Sequence, residues 1–121
     1  MEAIVSFRNY GNHPLKDLLK TGFKHVVVAV LTPDGYWVEI DSCKGIPSVT
    51  VMGGEDFDLN QWYEKQGYIT VETTQVKKKK FIFNPFRGNI LIANCVGTVK
   101  SVLGLDCICV TPYQLYKRLK K

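Results

Sequence analysis

Seven consecutive residues, His25-Val26-Val27-Val28-Ala29-Val30-Leu31, constrain this chain more than any other stretch. They are apolar at both parities and mostly β-branched, so as a strand they carry apolar surface on both sides. Such a strand must be central, with a layer over each face. Thr32-Pro33-Asp34-Gly35 is turn chemistry, and Tyr36-Trp37-Val38-Glu39-Ile40-Asp41 reads as a returning antiparallel strand of alternating character. A three-residue loop, Pro33-Asp34-Gly35 with Gly35 left-handed, makes Thr32 face Tyr36 and sets His25 opposite Cys43. Asp41 then lies diagonal to His25 on the same face, about 7–8 Å away at the backbone and within reach of a side-chain contact. A two- or four-residue loop would instead put Ser42 or Lys44 beside His25.

The rest of the chain supplies the covering layers. Ala3-Ile4-Val5-Ser6-Phe7 reads as a first strand, and His13-Pro14 opens a short helix with Leu15, Leu18 and Leu19 on one side and Gly22 at its end. Val49-Thr50-Val51 is a short strand broken by Gly53-Gly54. Asp56 or Asp58 caps a helix that buries Leu59, Trp62 and Tyr63 before Gly67 stops it. Tyr68 to Glu72 and Phe81-Ile82-Phe83 are strand-like, separated by the run Lys77-Lys78-Lys79-Lys80, and Asn84 to Gly88 is a loop. Cys107 to Val110 is a further strand, and Thr111-Pro112 caps and opens a last helix that buries Leu115, Tyr116 and Leu119. With 121 residues, 45% of them hydrophobic and 12% aromatic, the chain reads as one α+β domain spanning residues 1–121, an antiparallel sheet with packed helices.

Between these elements, the apolar run Asn89 to Ala93 stops at Asn94-Cys95 and restarts with helical spacing at Val96, Val99 and Leu103. Asn94 is a favoured N-cap and Gly104 fits the left-handed position past a helix end, so Cys95 is expected as the first helical residue. A thiol there sits among unpaired backbone N–H groups at the positive end of the helix dipole, and both favour thiolate over thiol. The N–H of Cys95 itself can receive the oxyanion formed when a thiolate attacks a carbonyl. The plainer alternatives are a cysteine packed as a small hydrophobe and a histidine satisfied by backbone at a strand end. The conjunction favours chemistry: a helix-terminal nucleophile (Cys95), a base at the mouth of a central strand (His25), and a carboxylate on the neighbouring strand to orient that base (Asp41).

Composition bounds the other classes. No stretch reads as an export signal or approaches the roughly 18 apolar residues of a membrane span. The four cysteines contain no Cys-x-x-Cys pair and read as reduced, and with only His13 and His25 to complete a site, neither metal nor cofactor is expected. The net charge of +5 gathers in Lys77–Lys80 and the Lys117-Arg118-Leu119-Lys120-Lys121 tail. Nucleic-acid binding through those lysines, with Phe81, Phe83 and Phe86 as stacking faces, ranks last because no recognition helix or other nucleic-acid motif is legible.

The order His25, Asp41, Cys95 resembles the papain-like fold of the NlpC/P60 superfamily in its circularly permuted branch, where histidine precedes cysteine. Asn94-Cys95-Val96 is similar to the start of that branch's Asn-Cys-Glu-His-Phe signature, although Val96, Gly97 and Thr98 stand where it has Glu, His and Phe. Asp41 also stands where permuted members often carry a second histidine. The phrases Asn94 to Lys100 and Thr111 to Tyr116 are similar to small proteins encoded by tailed bacteriophages. The resemblance implies a cysteine peptidase, amidase or acyl transferase working through a Cys95-His25-Asp41 triad and a thioester. It further implies a peptide, amide or acyl substrate, with peptidoglycan as the phage-related case, in the host cytoplasm or the virion. The competing expectation is a catalytically silent virion or assembly protein that contacts other virion proteins.

Overall fold

The turn after Leu31 closes as its residues require. Thr32 N–H donates to the Tyr36 carbonyl at 2.8 Å and Gly35 N–H to the Thr32 carbonyl at 3.0 Å, while Gly35 takes a φ of +86°, which its missing Cβ permits. The three-residue loop therefore fixes the register of β2 (His25–Leu31) against β3 (Tyr36–Cys43), with Leu31 across from Trp37, Ala29 from Glu39 and Val28 from Ile40. The computed structural model describes residues 2–9, 20–43, 46–74, 94–105 and 111–120. The helix expected from His13-Pro14, the run Lys77–Lys80, the Phe81–Phe83 strand, the loop after it and the Cys107–Val110 strand lie outside the described residues.

Three more strands extend the hairpin: β1 (Glu2–Arg8), β4 (Ile46–Gly54) and β5 (Ile69–Thr74). The sheet runs β4-β3-β2-β1-β5, with every neighbouring pair antiparallel, so β2 is central as its composition requires. Both faces of β2 are covered. On one face Val26, Val28 and Val30 join Val5 and Phe7 of β1 against Val96, Val99 and Leu103 of α2 (Asn94–Leu103) and Leu115 of α3 (Pro112–Leu119). On the other, Ala29, Ile4 and Trp37 pack against Leu59 and Tyr63 of α1 (Leu59–Lys65). Each fully buried aliphatic side chain here stabilises the fold by about 1.5–3 kcal/mol relative to exposure.

The helix ends follow their local chemistry. Thr111 caps α3 reciprocally with Gln114, and Pro112 occupies the first turn, where no backbone donor is needed. Gly104, at φ +71°, ends α2, with Leu105 N–H on the Lys100 carbonyl at 2.9 Å and Gly104 N–H on that of Ser101 at 3.4 Å. Of the two expected caps of α1, Asp58 holds the position, its Oδ1 accepting from Gln61 N–H at 3.0 Å.

Two expectations are corrected. Trp62 is 38% exposed rather than buried. In a helix of only seven residues Leu59 and Tyr63, one turn apart, take the sheet-facing stripe, and Trp62 turns outward beside the Tyr63 ring. Gly53-Gly54 does not break β4, because a register shift at Trp37/Val38 lets both glycines pair with β3.

Candidate functional site

His25 is the first residue of β2, and the hairpin register carries Asp41 to its side. His25 Nε2 and Asp41 Oδ1 lie 2.7 Å apart, the contact that the three-residue loop predicts. Both residues are partly buried, which makes the pair an ion pair in a poorly solvated setting. Burial alone would lower the affinity of the His25 ring for its proton. The hydrogen bond that the ring donates to Asp41 and the nearby Cys95 side chain outweigh it and raise the ring to about 10. Burial likewise opposes the charge on Asp41. The hydrogen bond and charge of His25, with Arg8 farther off, outweigh that and hold the carboxyl below its usual range.

The ring therefore stays an imidazolium through neutral pH, its Nε2–H donating to Asp41. The sign for stability follows. The contribution of His25 is complete below about 6.5, its unperturbed value, and is lost as pH rises through about 10. Asp41 works in the opposite sense, its contribution present above the ordinary carboxylate range and lost as pH falls through its depressed value. NMR titration of the His25 ring checks this. The midpoint is expected well above 8 in the wild type and lower in both Asp41→Asn and Cys95→Ala. A wild-type midpoint near 6.5 would dismiss the ion pair.

Cys95 is 8% exposed and sits on the first turn of α2, one residue later than the sequence predicts because Asn94 is already helical. Its thiol is free of any disulfide. Strand alternation puts His25 on the α1 side of the sheet with Arg8, Glu39 and Asp41, whereas α2 packs on the opposite side. Cys95 and the imidazole thus meet at the end of the sheet, where β2 begins. The papain-like resemblance expects the Cys95 helix on the same face of the sheet as His25, and that expectation is corrected: α2 lies on the opposite face, and its first turn nears the ring around the strand end. The ring still has a carboxylate at 2.7 Å and a thiol nearby.

Behind Asp41 lies a polar cluster that the sequence does not single out. Arg8, directly across from His25 in the β1–β2 register, donates from Nη2 to Glu39 Oε1 at 2.7 Å. Tyr63 O–H donates to the same oxygen, also at 2.7 Å. The Arg8 guanidinium lies 4.3 Å from the Tyr68 ring centre and 5.5 Å from that of Tyr63. Burial pushes the Tyr63 phenol up, and its bond to the Glu39 carboxylate pushes it further, so the phenol remains a donor. The signal that could have located this cluster is Arg8 at the end of an otherwise apolar strand, but the β1–β2 register is not readable from a connection as long as residues 9–24.

An open cleft of about 400 Å³ lies at the other end of the sheet, lined by Glu2, Ala3, Ile4, Trp37, Glu72, Thr73 and Thr74; it contains neither thiol nor imidazole. Among the described residues no group of three His, Cys, Asp or Glu side chains could hold a metal ion. Among them, too, no helix is long and apolar enough to cross a membrane. No family model, curated protein or solved structure matches the chain.

Proposed function

We propose that the protein is a cysteine hydrolase or acyl transferase acting on a peptide, amide or ester carbonyl. The observation that carries this reading is His25 hydrogen-bonded to Asp41 at 2.7 Å with the side chain of Cys95, on the first turn of α2, close to the ring. The Cys95 sulfur attacks as thiolate, forming the S–C bond while the carbonyl π pair moves to oxygen. The backbone N–H of Cys95, near the positive end of α2, receives that oxyanion. Collapse breaks the bond to the leaving group, which takes its proton from the His25 imidazolium, and Asp41 keeps the ring in place throughout. Water or an acceptor then releases the acyl group from the thioester. The substrate range implied by the sequence resemblance, including peptidoglycan, belongs to this proposal.

The test is thiol labelling with iodoacetamide below pH 7, read by peptide mass spectrometry, alongside a panel of peptidoglycan fragments, short peptides and acyl esters. Cys95 is expected to label fastest of the four cysteines, and His25→Ala to slow it. Fast labelling of Cys43 in its place would move the nucleophile to the β2–β3 hairpin. A Cys95 that resists labelling, with no turnover across the panel, would favour a silent interaction protein.

A further inference from the structure

Ser42 is 4% exposed, and among the described residues its Oγ has no hydrogen-bond partner. A buried hydroxyl left unpaired is costly, and native folds rarely keep one without a use. Its place in the fold suggests the use. Ser42 follows Asp41 in β3, so alternation turns it to the α2 side, in line with Val38 and Ile40, which pack against the α2 cluster. It is also at the end of β3 that the register brings across from the start of β2, the end of the sheet where Cys95 meets His25.

The geometry points to Ser42 as a second oxyanion donor, its hydroxyl completing with the Cys95 N–H the hole that receives the carbonyl oxygen of a substrate acyl group. This rests on the thiol reading above. In the acylation step the Cys95 S–C bond forms, the carbonyl π pair moves to oxygen, and that oxygen accepts hydrogen bonds from Ser42 O–H and Cys95 N–H. The pair returns as the bond to the leaving group breaks, the leaving group taking its proton from His25. Ser42 transfers no proton; it lowers the energy of the charge that develops, which is where such donors act most strongly.

Two reagents separate this role from thiolate activation. Acylation of Cys95 by p-nitrophenyl acetate passes through a tetrahedral oxyanion, whereas alkylation by iodoacetamide displaces iodide and forms none. In Ser42→Ala the acylation rate, read as p-nitrophenolate release and as acetyl-Cys95 by mass spectrometry, is expected to fall about 10²-fold. The alkylation rate should stay at the wild-type value. The urea midpoint should be unchanged or higher, since the substitution removes an unpaired polar atom from the interior. Equal acylation rates in wild type and Ser42→Ala would overturn the assignment and leave the triad standing. An equal fall in both reactions would overturn it too, because Ser42 would then act on the thiol itself. A wild-type Cys95 inert to both reagents would bring down the thiol reading and this inference with it.

Discussion

Cys95→Ala is expected to turn over a substrate of the wild-type protein at the uncatalysed rate, while Asp41→Asn keeps a measurable fraction. The difference follows from what each change removes. Without the sulfur there is no thioester, and the covalent route disappears. In Asp41→Asn the thiol and the imidazole remain, but the ring loses the carboxylate that fixes it at 2.7 Å and offsets its charge. A misheld base sacrifices much of the about 10²- to 10⁴-fold that general acid–base catalysis contributes. His25→Ala should fall closer to Cys95→Ala, since neither the thiolate's partner nor the acid for the leaving group survives. Steady-state rates of the three variants, with circular dichroism to confirm folding, give the ranking. Wild-type turnover in Cys95→Ala would end the thiol mechanism. Wild-type turnover in Asp41→Asn would reduce the His25–Asp41 contact to a structural ion pair.

The part of this site that can be read from the sequence is the part set by local geometry. His25 and Asp41 lie in one hairpin, and Pro33-Asp34-Gly35 allows a definite register because Gly35 can take the left-handed conformation. The Cys95 helix is legible for the same kind of reason: a spaced apolar stripe with Gly104 beyond it. Its route to His25 is a tertiary fact, and no local rule says that α2 lies across one face of the sheet while its first turn meets a ring rooted on the other. Glu39 shows a second limit. Period-two alternation marks it as a position facing water, but α1 folds over that face and Tyr63 takes its carboxylate as an acceptor. Trp62 errs the other way, because a seven-residue helix has room for one apolar stripe and Leu59 with Tyr63 fill it.

Arg8→Leu is expected to lower unfolding stability by about 3–5 kcal/mol, a large share of the roughly 5–15 kcal/mol that a domain possesses. The Arg8 and Glu39 side chains are only 7% and 14% exposed. Removing the guanidinium leaves the Glu39 carboxylate with the Tyr63 hydroxyl as its remaining bond in this cluster and also strips a cation from the Tyr68 ring. The cost is that of stranding a charge rather than the net value of the pair, and a triple variant tests the distinction. Arg8→Leu/Glu39→Leu/Tyr63→Phe removes the guanidinium, the carboxylate and the phenol together, leaving the Ser6 hydroxyl that Arg8 Nη2 contacts at 3.4 Å, so most of the lost stability should return. Urea midpoints at pH 7, with slopes compared so that a change in the unfolded state is recognised, measure both. A loss under about 1 kcal/mol in Arg8→Leu would mean that water reaches the pair and screens it. Arg8→Leu alone, in buffer where it stays folded, reads the electrostatic reach of Arg8 toward the candidate site. Arg8 is one of the charges that hold Asp41 below its usual range, so carboxyl titration by NMR should show Asp41 shifted upward relative to wild type.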